Sequence, residues 1–270
     1  MKFSLSLLGL LLLIAGLNAC SPPVPPESKE DSYLNQQQEK QGYPILIATP
    51  QIADYGLPFC EKKYCIDVEI FSFKSQDLWF NEYVNQKIAN LMTQQLGLQH
   101  KLSLQMAINE FVKMSDLWQE EHPQQAWSIY VQPRVVFQHN EIAVLEVKTQ
   151  YLADNRNPQA KTFYDVIDRK RQRSIRLYDL VKPESRVDFG GYLLGEYRKW
   201  LKDKNDYQDY PEKIYWANQD WFIDEEGLAI YYRATDFNSE DQGRPLVVYL
   251  SPAQLKAWID DKYLHDILYE

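Results

Sequence analysis

The sequence predicts an α+β fold, an antiparallel sheet with helices packed against it. Three observations carry that prediction. Strand-like stretches come in runs, and paired helical stretches interrupt those runs without alternating strictly with them. Short polar turns such as His139-Asn140-Glu141 and Asp224-Glu225-Glu226-Gly227 join the strand candidates. The two helical candidates of the first half end on breakers, Gly97 and Pro123.

Tyr43 to Ala48 and Cys65 to Phe73 read as strands. In the second, Ile66, Val68 and Ile70 alternate with Asp67, Glu69 and Phe71, the period of a half-buried strand. Ser75 is placed to cap a helix running to about Leu96, with Phe80, Val84, Ile88 and Leu91 on one face. A second helix follows from about Ser103 to Glu120, with Met106, Phe111, Met114, Leu117 and Trp118 as its apolar side chains. Trp127 to Phe137 and Ile142 to Tyr151 form a long hairpin, in which Pro133 marks an edge or a bulge. On its second arm Leu145, Val147, Thr149 and Tyr151 share one face, and Glu146, Lys148 and Gln150 the other.

Thr162 to Asp168 and Ser174 to Leu180 read as another hairpin, joined by the solvated basic turn Arg169-Lys170-Arg171-Gln172-Arg173. Val187 to Leu201 carries Leu194, Tyr197 and Leu201 at helical spacing. Trp221 to Ile223 and Leu228 to Tyr232 flank the acidic turn, and Leu246 to Leu250 is the last strand. Ser251-Pro252-Ala253-Gln254 is a capping box with Pro at the first helical position, opening a short helix that buries Leu255, Trp258 and Ile259. The domain is expected to span residues 43–270, with an N-terminal half at 43–160 and a second half at 161–270.

Ahead of it lies a different composition. Leu7 to Ala15 is almost wholly apolar behind Lys2, short enough for a secretory core and short for a permanent span. The run closes on Leu17-Asn18-Ala19-Cys20, which resembles the processing site of a bacterial lipoprotein. That resemblance implies a signal peptide at residues 1–19, lipidation of Cys20 and a place in the cell envelope. Ser21, rather than Asp, follows the cysteine, and in that family this implies export to an outer membrane of a two-membrane bacterium. Residues 20–42 hold four prolines and three consecutive glutamines, and read as a flexible tether between anchor and domain.

Residues 1–19 carry one Lys and no acid, so from Cys20 onward 28 cations face 38 carboxylates, a net charge of −10. That balance argues against nucleic acid and against an anionic lipid surface as partners, and is compatible with a basic one. Cys60 and Cys65 are the remaining cysteines, bracketing Glu61-Lys62-Lys63-Tyr64. Outside the cytoplasm they are expected to form a disulfide worth roughly 2 kcal/mol in the chain-entropy model. His100, His122, His139 and His265 never meet at ligand spacing, so no metal is expected. No nucleophile elbow, phosphate-cradling glycine loop or zinc-protease helix appears, and neither a catalytic residue nor a cofactor is predicted.

Three stretches of the last hundred residues resemble the RsiV-like C-terminal domain family of bacterial envelope proteins. They are Ile175 to Val181 with its Leu-Tyr-Asp-Leu core, Trp221 to Tyr232, and Gly243 to Leu255. The family is known from a lysozyme-sensing anti-sigma factor and from a module in peptidoglycan deacetylases. This chain departs from it at Arg233 to Phe237, where members carry a Pro-Tyr stretch, and it has neither a sigma-binding segment nor a deacetylase domain. The resemblance implies an envelope-facing, non-enzymatic protein-binding module, with lysozyme or another basic envelope protein as the candidate ligand. A cell-wall glycan hydrolase or a structural envelope component is the alternative. Asp236, Asn238, Gln242 and Arg244 are the candidate binding residues, because their loop is long, polar and next to aromatic strands.

Overall fold

The structure is a computed structural model and describes residues 43–61, 64–153, 159–203, 212–237 and 245–268. It is α+β. Strands β1 (Thr49–Ile52), β2 (Asp67–Lys74), β3 (Ser128–His139), β4 (Ile142–Leu152), β5 (Gln159–Asp168) and β6 (Arg173–Ser174) form a six-stranded sheet in that order. Strands β7 (Asp220–Asp224), β8 (Gly227–Tyr232) and β9 (Leu246–Leu250) form a three-stranded antiparallel sheet. Residues 43–270 make one compact unit.

The larger sheet is mixed. Helices α1 (Leu78–Gln95) and α2 (Leu104–Glu121) lie between β2 and β3, and that crossover brings the two strands together in parallel. Every other pairing is antiparallel. Pro133 sits where β3 has outrun its pairing with β2, which stops at Val131, so its missing N–H costs no ladder bond. A bulge follows between Val135 and Phe137.

Two hydrophobic cores lie on the two faces of this sheet. On one, α1 and α2 press Phe80, Val84, Ile88, Ile108 and Phe111 onto Ile70, Val131, Leu145, Val147 and Ile167. The buried stripe of α2 runs through Ala107, Ile108, Phe111, Val112 and Ser115, so Met106 and Leu117, two of the apolar side chains named for this helix, are exposed. At the end of that stripe Ser115 Oγ accepts a hydrogen bond from Trp127 N at 3.1 Å. Asp77, rather than Ser75, caps α1, its Oδ1 accepting from Phe80 N at 2.9 Å. Ser103 caps α2 as expected.

The other core gathers Ile142, Val144 and Val166 against the inner face of the small sheet and four more helices. These are α3 (Leu177–Leu180), α4 (Arg186–Asp203), α5 (Pro252–Trp258) and α6 (Asp261–Leu268). The stretch expected to be a strand from Ser174 to Leu180 keeps only Ser174 in β6. Leu177 and Leu180 then need to face the same core, and a helical turn brings residues three apart onto one side. Along α4 the buried face is Phe189, Leu193, Tyr197 and Leu201. The Ser251 capping box forms, with Gln254 Oε1 accepting from Ser251 N at 2.9 Å and Pro252 at the first helical position. Among the described residues no helix is long and apolar enough to cross a membrane.

The segment before β1 is coil rather than strand, yet it is fastened throughout. Leu46 N donates to Gln138 Oε1 at 2.9 Å and Leu46 O accepts from Gln138 Nε2 at 3.2 Å, an amide imitating a strand partner. Arg169, read from sequence as part of a solvated turn, is only 2% exposed. It donates to Asp77 Oδ2 at 3.0 Å and Pro44 O at 2.9 Å, and its guanidinium lies 4.7 Å from the Tyr43 ring centre. Burying an arginine requires such a full set of acceptors. Cys60 and Cys65 are joined, S–S 2.07 Å. Gln105 holds the chain ahead of them by accepting from Gly56 N at 2.8 Å and donating to Gly56 O at 2.9 Å.

Candidate binding surface

Strand β4 is buried on both faces over its first half, but its far half is covered on one face only. Side chains alternate along a strand, so Glu146 and Lys148 share the open face with Arg134 and Gln132 of β3 and with Tyr164 and Thr162 of β5. The small sheet behaves likewise. Trp221, Ile223, Leu228, Ile230, Val248 and Leu250 point into the core, which turns Phe222, Ala229, Tyr231 and Tyr249 outward.

The two open faces meet between β5 and β7. Register places Arg134, Glu146 and Tyr164 side by side in the large sheet, and Phe222, Ala229 and Tyr249 side by side in the small one. Ring centres of Tyr164 and Phe222 are 4.5 Å apart, and those of Phe222 and Tyr249 are 6.0 Å apart across Ala229. One row of side chains therefore crosses both sheets, from an arginine through a carboxylate to three aromatic rings. Tyr231 sits beside it, 5.0 Å from Tyr164.

Glu146 is buried within that row. Its Oε2 accepts from Tyr164 Oη at 3.0 Å. Its Oε1 lies 3.0 Å from Arg134 and 3.5 Å from Lys148, yet no donor among the described residues is aligned on it. Burial first, then the Glu146 charge, raises the Tyr164 phenol. At the other end Tyr249, 44% exposed, donates to Asp224 Oδ2 at 3.1 Å. Burial and the Asp224 carboxylate push its phenol up to about 12. Both phenols thus stay protonated donors at neutral pH.

The seam between the sheets is closed by Asp220. Its Oδ2 accepts from Tyr164 N at 2.8 Å, so a side chain satisfies an N–H on the edge of β5 that no strand pairs. Arg233 pairs with the same carboxylate, donates to Thr162 O at 2.9 Å and lies 4.2 Å from the Phe163 ring centre. Burial raises the Asp220 carboxyl, and the Arg233 charge partly offsets that.

The residues expected to bind are distributed differently. Asp236 is described: its Oδ2 accepts from Arg233 N and Gln219 Nε2, both at 2.8 Å, so it ties the loop to the seam beside Tyr231. Asn238, Gln242, Arg244 and the lipidation candidate Cys20 lie outside the described residues. His122 is stacked on Trp118 at 3.7 Å, and no group of three or more His, Cys, Asp or Glu that could hold a metal exists among the described residues. The row itself was half legible. Glu146, Lys148 and Gln150 were recognisable as one face of a strand, whereas the meeting of β5 with β7 is a long-range event with no local signal.

Fold and site together define an α+β domain with an aromatic, mixed-charge sheet face left open. Two solved structures are similar to it. A DUF3298 family protein from Pseudomonas aeruginosa PAO1 has a TM-score of 0.57 at 15% identity, covering 82% of this chain and 96% of that one. A member of the same family from Bacteroides fragilis NCTC 9343 has a TM-score of 0.53 at 11% identity, covering 83% of this chain and 96% of its own. At these identities the likeness is one of fold. No family model matches the sequence, and no curated protein does.

Proposed function

We propose that this chain is an envelope lipoprotein whose domain is a divergent RsiV-like module that binds a protein rather than transforming a substrate. The observation that carries the reading is the row from Arg134 to Tyr249. It presents partly exposed aromatic rings, which supply contact area at little entropic cost and can take a cation of a basic surface on their faces. Its one carboxylate, Glu146, is engaged with two cations and a phenol, and beside the row Asp220 pairs with Arg233 and Asp224 accepts from Tyr249. The fold neighbours add support, because DUF3298 proteins are RsiV-like C-terminal domains.

The ligand proposed is a basic envelope or host protein, lysozyme first. A net charge of −9 for the whole chain favours such a partner chiefly through the rate of encounter. Immobilised protein is expected to retain lysozyme and slow it at micromolar concentration. Tyr249→Ala, on a partly exposed ring, is expected to weaken retention by roughly 30-fold while leaving the melting curve in place. Retention equal to that of the unaltered protein removes this face from the reading. The lipoprotein half is tested separately. Cells given labelled palmitate are expected to label the protein, and Cys20→Ala is expected to abolish the label.

A further inference from the structure

We infer that the domain carries a second interaction surface, one that lies against an anionic phospholipid bilayer at the point where the N-terminal segment joins it. Three pieces of chain build it. The strap at residues 43–47 exposes Ile45 and Ile47, 72% and 73%, on either side of the buried Leu46. The start of α1 exposes Leu78, 78%, and Gln76 beside it donates to Ile45 O at 2.7 Å. The turn between β5 and β6 exposes Lys170, Arg171 and Arg173. Arg169 fastens all three together, bonding Asp77 and Pro44 through its side chain and Glu141 O through its backbone N at 2.9 Å.

Charge and connectivity select the occupant. The chain as a whole is acidic, at −9, yet this corner is basic. Asp77 is paired with Arg169, Asp168 with Arg171 and Asp179 with Arg176, so these carboxylates are already engaged, while Lys170 and Arg173 have no ion-pair partner among the described residues. Exposed aliphatic side chains beside lysine and arginine match the boundary of an anionic leaflet, where the former enter the interface and the latter meet phosphate. Position agrees. The strap is where residues 1–42 join the domain, so a lipid on Cys20 would be connected to this corner by 22 residues. Fully extended, that connection reaches no farther than about 75 Å. The open face from Arg134 to Tyr249 is on the other side of the sheet: Leu46 of the strap is buried with Ala143 and Leu145 under α1 and α2, and side chains alternate along β4, so Glu146 points the opposite way. Contact at the strap therefore leaves it free.

The test uses the chain from residue 20 onward with Cys20→Ser, so that no lipid anchor contributes. It is expected to sediment with vesicles of phosphatidylglycerol and phosphatidylcholine and to stay in solution with phosphatidylcholine alone. Lys170→Gln with Arg173→Gln is expected to weaken vesicle binding about 30-fold, and Lys113→Gln on α2 to leave it unchanged. Ile45→Ser with Ile47→Ser is expected to abolish it. The proposal fails if the charge variants bind as the parent does, or if nothing sediments. It also fails if the isoleucine pair only dissolves a dimer in solution, which would make the corner an interface between copies. Palmitate labelling is a separate readout, so loss of the lipoprotein reading and loss of this one are distinguishable.

Discussion

Arg169→Ala is expected to lower stability by about 3–5 kcal/mol, the usual result of removing one partner from a buried ion pair. For a domain of this size that corresponds to a fall in melting temperature on the order of 10 °C. Arg169 is 2% exposed, and its removal leaves three groups without their partner. Asp77 loses the cation at its Oδ2, Pro44 O loses its donor, and the Tyr43 ring loses the guanidinium above it. The cap of α1 survives, because it uses the other Asp77 oxygen. Two companions sharpen the result. Arg169→Lys should recover part of the loss, since an ammonium can pair with Asp77 but cannot present the planar fork that also serves Pro44. Asp77→Asn keeps a competent cap, and combined with Arg169→Ala it should cost less than the two changes summed. Thermal unfolding measures all of these. A melting temperature for Arg169→Ala within the range of ordinary surface changes would show that the strap is not held as described.

That arginine also marks where the sequence stopped being informative. Five neighbouring residues, Arg169-Lys170-Arg171-Gln172-Arg173, read as a solvated turn, and four of them are. Nothing local separates the buried one, because its acceptors come from residues 44 and 77. The glutamines behave alike: Gln138 and Gln105 each pair with a backbone unit far away in sequence, a role their composition does not advertise. By contrast, whatever depends on periodicity or capping was legible. The buried face of α1, the hairpin of β7 and β8, and the Ser251 capping box all follow from residues within one or two turns of each other. Ser75 and Asp77 are both good caps two residues apart, and only the packing of α1 chooses between them. The parallel pairing of β2 with β3 likewise belongs to the crossover as a whole.

Gly227→Ala is expected to destabilise the domain by about 3 kcal/mol or more, through strain and a backbone collision together. Gly227 has φ +142°, a conformation that L side chains rarely adopt. A Cβ built there falls 2.3 Å from Leu250 O, and that atom belongs to β9 and cannot swing aside. The next residue, Leu228, is paired with Leu250, so relief means pulling β8 and β9 apart where their pairing begins. Asp224 Oδ1 also accepts from Gly227 N at 3.2 Å and from Glu226 N at 2.9 Å, which holds the turn in place while the clash develops. Gly191→Ala provides the opposite sign in the same protein. It lies in α4 with open space around a built Cβ, and alanine there should add about 0.5–1 kcal/mol. Comparing the two melting curves removes any general effect of adding a methyl group. The consequence extends to binding, because β9 carries Tyr249 and β7 carries Phe222. Below its own melting temperature, Gly227→Ala should therefore retain less partner than Gly191→Ala does. Equal melting and equal retention for the two would mean that the end of this hairpin is not packed on Leu250 and that the row across the sheets is not held by it.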